Sequence, residues 1–174
     1  MTSRSQPPVR RPKKTVHDDL YEQPGHLIRR ANQICMGLFA ELVSSDITPI
    51  QYAILRAVHE TPGIDQVSLA RATALDTSTA ALTAARLEGK GLLNRDPSEV
   101  DKRQRVLTLS AAGEALIVGL VADVHAMRKR LLSTFSPDER EQFMALLRKF
   151  VDLNNDRSRA PMRSASKDAA ELPG

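Results

Sequence analysis

Two short β-prone runs, Leu92-Leu93-Asn94-Arg95 and Arg105-Val106-Leu107-Thr108-Leu109, interrupt a chain whose other apolar residues recur at helical spacing. That interruption limits the fold to a mainly α architecture with one small β-hairpin, because the polar stretch DPSEVDKRQ between the runs returns the chain on itself. Upstream, Ile28, Ala31, Ile34, Cys35, Leu38, Phe39 and Leu42 follow at three- and four-residue steps, the stripe of a long amphipathic helix starting near Pro24. Thr48-Pro49-Ile50-Gln51 has a capping-box pattern with proline at the first helical position. Tyr52, Ile54, Leu55 and Val58 form the buried side of the helix it opens, and Thr61-Pro62-Gly63 ends it. A short helix is predicted over 65–73. After a tight joint, a second opens at Asp76 and runs through TSTAALTAARLEGKG to a glycine stop, with Ala80, Ala81, Ala84 and Leu87 inside. Ser110 caps another long helix, apolar from Ala115 through Leu132. Ser136-Pro137-Asp138-Glu139 opens the last one, through Phe143, Leu146, Leu147 and Phe150.

Composition excludes several classes. Two tyrosines, four phenylalanines and no tryptophan are too few to build a base-stacking platform for single strands. A single cysteine, Cys35, rules out an intramolecular disulfide and a Cys-based zinc cage. No apolar run reaches the roughly 20 residues that span a bilayer, and the basic, Pro-rich beginning has no signal-peptide core, so no membrane association and a cytoplasmic location are expected. The net charge of +4 sits at the ends: five bases and no acid fall within 1–17, leaving residues 18–153 at −2. Basic pI therefore says little about DNA; a basic site in the body must be local. Residues 1–17 are expected to be a disordered basic arm, touching DNA phosphates or merely solubilising, and 154–174 a disordered tail.

The helix opening at Asp76 offers Thr77, Ser78 and Thr79 in its first turn, with Thr83 and Arg86 further along. Small hydrogen-bonding side chains at the start of the second of two short helices suit a recognition helix; an ordinary capped surface helix reads the same way. The hairpin that follows favours the first reading, because a hairpin directly after a helix-turn-helix is a wing. Arg95, Lys102, Arg103 and Arg105 lie on or beside it, and an arginine at a narrow tip can enter a minor groove. Asp101 is placed to pair with Arg95 and stiffen that tip. The expected architecture is a winged helix-turn-helix plus a helical dimerisation region. Its DNA-binding lobe spans about 48–109, between apolar terminal helices of about 24–45 and 110–151 whose surplus surface suggests a homodimer on palindromic double-stranded DNA.

Asp101-Lys102-Arg103 followed by Leu107-Thr108-Leu109-Ser110-Ala111-Ala112-Gly113, and preceded by Leu87-Glu88-Gly89-Lys90-Gly91-Leu92-Leu93-Asn94-Arg95, resembles the MarR family of winged-helix bacterial regulators over residues 20–151. The resemblance implies an obligate homodimer that usually represses transcription, with an effector pocket between the dimerisation helices and the DNA-binding lobe. It makes Thr77, Ser78, Thr79 and Arg86 groove and phosphate contacts and Arg103 the wing arginine. The stretch from Pro24 to Ile34, PGHLIRRANQI, is similar to the opening of MarR regulators of aromatic-compound catabolism, whose effectors include aromatic acids and aromatic acyl-CoA thioesters.

Physically, His26, Arg29, Arg30 and Arg56 are suited to an anionic ligand, and Met36, Phe39, Tyr52 and Leu55 to its apolar ring. The competing reading leaves the arginines solvated or paired with Glu22, Glu41 and Glu60. Asn32-Gln33-Ile34-Cys35-Met36-Gly37-Leu38-Phe39 is similar to the sensing helix of hydroperoxide-responsive MarR proteins. The tyrosines that hold the family's cysteine are replaced by Phe39 and Pro49, and burial in an apolar face raises a thiol pKa, so the alternative for Cys35 is a packed small hydrophobe. No phosphate loop, nucleophile pair or metal-ligand spacing is present, so neither an enzyme nor a cofactor is expected. A constitutive DNA binder without effector is the remaining alternative.

Overall fold

The computed structural model describes residues 20–98, 102 and 104–162. Asp101, expected to pair with Arg95, and Arg103, the expected wing arginine, lie outside the described residues, as does the basic arm. The chain divides into two compact units, one ending at Ile34 and the other starting at Cys35. The first comprises a 3-10 turn, Leu20–Glu22, and the opening turns of helix α1 (Pro24–Leu42). Pro24 begins the helix where its missing N–H is not needed.

The second unit holds the rest of α1, then α2 (Pro49–Glu60), β1 (Ile64–Asp65), α3 (Gln66–Ala72), α4 (Thr77–Gly89), β2 (Leu93–Pro97), β3 (Arg105–Leu109), α5 (Ala111–Gly119), α6 (Val121–Leu131) and α7 (Pro137–Asn154). Both expected capping boxes are formed. Thr48 accepts from Gln51 N while the Gln51 side chain accepts from Thr48 N, and Ser136 and Glu139 repeat the exchange at the start of α7. A 3-10 turn, Asn155–Arg157, follows α7 in the stretch read as tail. Among the described residues no helix is long and apolar enough to cross a membrane.

The hairpin of β2 and β3 is antiparallel, with Leu93 opposite Leu109 and Pro97 opposite Arg105. It gains a strand that the sequence reading missed. β1 pairs Ile64 with Leu107 and Asp65 with Val106, giving the sheet order β1-β3-β2. Two residues are too few for an alternating pattern to show. Gly63, with a φ of +82°, supplies the left-handed turn into it, and its N–H bonds Leu107 O at 2.8 Å.

Ile54, Leu55 and Val58 of α2, Leu69 of α3, Leu87 of α4, Leu107 of β3 and Ile117 of α5 are all enclosed in one core. Side chains of that size each contribute about 1.5–3 kcal/mol when fully buried, so one cluster fixes the helix-turn-helix, the sheet and α5 together. The single long helix expected after Ser110 is two helices, parted at Leu120. Gly119 precedes the break, and glycine is a weak helix former; Leu120 itself is buried against the core.

Candidate nucleic-acid interface

The helix-turn-helix is built by two aspartate caps. Asp65 accepts from Val67 N at 2.8 Å, Ser68 N at 3.0 Å and the Ser68 hydroxyl at 2.6 Å, which starts α3. Asp76 does the same for α4, accepting from Thr79 N at 2.9 Å and from the Thr79 hydroxyl at 2.6 Å. The Thr79 hydroxyl and backbone N–H hold the Asp76 carboxyl below its ordinary pKa. Between the helices the chain reverses through Ala74, whose φ of +52° is unusual for a residue with a Cβ.

On α4, Ala80, Thr83, Ala84 and Leu87 are buried. At 100° per residue the opposite side of the helix carries Ser78, Leu82 and Ala85, with Arg86 to one flank. Thr77, Ser78 and Arg86, all predicted for DNA, are exposed, and Thr79 is half-buried with its hydroxyl proton committed to Asp76. The prediction for Thr83 is corrected: it is 9% exposed on the inner face, a packing residue rather than a groove contact. Its spacing from Ala80 and Leu87 places it inside, although a hydroxyl on such a helix suits the outer face. Leu82, 55% exposed, is the outward residue that sequence reasoning missed.

The hairpin separates the remaining predicted arginines. Arg105 is exposed at the start of β3, with Lys102 exposed nearby in sequence. Arg95 is bound to the protein instead: its guanidinium meets Glu88 Oε2 at 3.2 Å, and its Nε is buried with no hydrogen-bond partner among the described residues. This contact ties the wing to the end of α4, so Arg95 is a brace at the wing base; its expected pairing with Asp101 lies outside the described residues.

Of the residues predicted for an effector, those in the first unit cluster. Arg30 donates to Tyr21 Oη at 3.1 Å and lies 5.4 Å over the Tyr21 ring, whose edge-on neighbour is His26 at 5.5 Å. Arg29 donates to Gln33 at 3.2 Å and lies 3.4 Å from His26 Nδ1. Among the described residues neither arginine is paired with a carboxylate, Glu22 and Glu41 included; both arginines are exposed, as the solvated form of the expected alternative has it. Tyr21 is the member that the sequence reading left out.

In the second unit Arg56 is paired with Glu60, as that same alternative required. Met36 is exposed and Cys35 half-buried. Phe39 and Leu55 are corrected from cavity wall to core, at 5% and 0% exposure; Tyr52 is half-buried with its ring 5.9 Å from that of Phe39. A groove of about 600 Å³ lies between α6 and α7, lined by Arg128, Lys129, Arg140, Glu141 and Arg148 among others, and includes none of the predicted effector residues.

The sequence pattern of the MarR family matches residues 47–104. The transcriptional regulator HosA of Escherichia coli is 36% identical over 107 residues, which cover 62% of this chain and 79% of HosA. The chain belongs to the MarR family. The PcaV transcriptional regulator of Streptomyces coelicolor, solved with its natural ligand, superposes with a TM-score of 0.73 at 34% identity, covering 77% of this chain and 95% of that one. BpsR of Bordetella bronchiseptica, whose DNA binding is regulated by 6-hydroxynicotinic acid, superposes with a TM-score of 0.68 at 31% identity, covering 74% and 98%. As a MarR-family protein the chain is a DNA-binding transcriptional regulator and not an enzyme, and proteins of this family bind operator DNA as dimers and bind small-molecule ligands.

Two joints of this MarR-family chain escaped the sequence reading. His59 on α2 bonds Glu114 on α5, at 3.0 Å to one carboxylate oxygen, across 55 residues of sequence. Ser110 donates its hydroxyl to Gly91 O at 2.6 Å and its N–H to Leu92 O at 3.1 Å, so the start of α5 is bonded to the end of the α4 turn. The only local signal was the capping pattern at Ser110; the partners come from elsewhere in the chain.

Proposed function

We propose that this chain is a ligand-responsive repressor of aromatic-compound catabolism genes, released from a palindromic operator by an aromatic acid or an aromatic acyl-CoA. The observation that carries the effector class is the cluster of Tyr21, His26, Arg29 and Arg30. Two guanidiniums without carboxylate partners among the described residues and an imidazole, set beside a phenol ring, match a ligand that combines a carboxylate or phosphate with an aromatic ring. The likeness to BpsR, whose DNA binding responds to an aromatic acid, supports the same class. On the DNA side, Thr77, Ser78 and Arg86 of α4 and Arg103 and Arg105 of the wing are the proposed contacts, with Thr79 contributing its methyl group and hydroxyl lone pairs.

Release follows from differential affinity: a ligand preferring the arrangement of paired recognition helices that does not match half-sites about one helical turn apart lowers operator affinity by its preference. A coupling of about 1–3 kcal/mol gives roughly 5- to 150-fold weaker DNA binding. The test is fluorescence anisotropy on a labelled operator duplex, titrated with hydroxybenzoates, 6-hydroxynicotinate and benzoyl-CoA. Release by at least one of them, impaired in Arg29→Ala or Arg30→Ala, is expected. A stronger loss for the thioester than for the acids would assign these arginines to CoA phosphates. Operator binding insensitive to the whole panel would make the chain a constitutive DNA binder.

A further inference from the structure

The outward face of α4 is chemically unusual for a helix that reads base edges. Between its cap, Asp76, and Glu88 the segment TSTAALTAARL contains one guanidinium, Arg86, and no lysine, asparagine, glutamine or carboxylate. The long side chains that single out guanine, adenine or cytosine by bidentate or charged hydrogen bonds in the major groove are therefore absent except at that one flanking position, leaving the short hydroxyls of Thr77, Ser78 and Thr79, which bond bases with little selectivity. The centre of the face, directly opposite the buried stripe of Ala80, Thr83, Ala84 and Leu87, holds Ser78, Leu82 and Ala85. Leu82 is the one large side chain there and is 55% exposed. One exposed leucine is unremarkable on an arbitrary surface. Here it stands one turn from Ser78 and one turn from Arg86 on the helix that a winged helix-turn-helix inserts into the major groove, where the single apolar feature of any base pair is the thymine C5 methyl.

The geometry points to Leu82 as a specificity-determining residue that packs against a thymine methyl near the centre of each half-site. The inference rests on the DNA-binding assignment and goes beyond it, because it states which base the middle of the helix selects and by what chemistry. It also implies that the salt dependence of binding is indifferent to Leu82, since no phosphate is neutralised there.

Deoxyuridine differs from thymidine only by that methyl, so the contact is measurable without disturbing the protein. A palindromic duplex enriched from a randomised pool by the wild-type chain is resynthesised with each symmetric thymine pair in turn replaced by deoxyuridine, and affinities are read by anisotropy for wild type and Leu82→Ala. One replacement should weaken wild-type binding about fourfold per half-site, the weight of one buried methyl. The same replacement should change Leu82→Ala binding less than twofold, with the salt slopes of both proteins equal. Circular dichroism melting checks that this surface substitution leaves the fold intact. An equal deoxyuridine effect in both proteins, or none at any position, overturns the assignment. So does a Leu82→Ala phenotype confined to the sedimentation coefficient, which would make the leucine a contact between copies. Failure of the wild type to enrich any duplex would overturn it too, but by removing the DNA-binding reading itself, a result distinct from the others.

Discussion

Asp65 shows how much of the DNA-reading lobe depends on one carboxylate. Burial pushes its pKa up, but the hydrogen bonds from the Ser68 hydroxyl and from the N–H groups of Ser68 and Val67 outweigh burial and leave it below the ordinary 3.8. A group depressed on folding adds stability that is fully present above its unfolded pKa and disappears as the pH falls through the lower folded one. Asp65→Ala should therefore cost about 1 kcal/mol at neutral pH, the usual weight of an N-cap, read as a lower urea midpoint. The gap between the two proteins should narrow as the pH drops below 3.8. A gap that stays constant into that range would mean that the cap acts without its charge. Asp76, Thr79 and Thr83 carry the residue-scale lesson. The cap is legible because a carboxylate before a helical run has a local role; the inward turn of Thr83 is harder to read, because its hydroxyl suits the surface while its i, i+3, i+7 position with Ala80 and Leu87 turns it inward.

The joint between the hairpin and α5 governs the elements. Gly113, in the first turn of α5, is buried against the backbone of Leu92, and a Cβ built on it would lie 2.1 Å from Leu92 O. Neither side can yield without moving the Ser110 bonds that start α5 and close the end of the α4 turn. Gly113→Ala should destabilise the chain by about 3 kcal/mol, the upper end of ordinary overpacking, again measured by urea midpoint. On α4 the exposed Arg86 should behave differently: Arg86→Ala leaves stability unchanged, weakens operator binding, and lowers the salt slope by about one if it meets a phosphate. An unchanged slope with relaxed preference at one base pair would make it a base contact instead. Helix existence and caps were legible at this scale because periodicity and capping are local. β1, the break at Leu120, and the partnership of Arg95 with Glu88 depend on segments meeting in space, which no local pattern encodes.

At the scale of the whole molecule the unbalanced element is α7, an 18-residue helix with no buried residue. Phe143, Leu146, Leu147 and Phe150 recur at three- and four-residue steps and are 39–58% exposed, an apolar stripe that the described residues cover only in part, Phe135 stacking on Phe143 at 5.2 Å. Such a stripe is the signature of a helix that packs against something, and a second copy satisfies it while pairing two recognition helices for a palindrome. We expect a dimer by sedimentation at micromolar concentration. Leu147→Glu and Phe150→Glu place charge in the stripe without touching the core of α2–α4 and the sheet, so each should yield a monomer whose winged lobe remains folded by circular dichroism. Such a monomer retains one recognition helix. It should bind an isolated half-site about as well as a wild-type subunit does, yet bind the full palindrome roughly 100-fold or more weaker, because the second contact is no longer held at high effective concentration. Wild-type chain that sediments as a folded monomer and still binds the palindrome at full affinity would contradict this assembly. Cys35→Ser supplies the matching control on sensing: with the effector an aromatic acid or thioester, the variant should be released from DNA at the same ligand concentration as wild type. A hydroperoxide response abolished by that substitution would replace ligand binding with thiol oxidation.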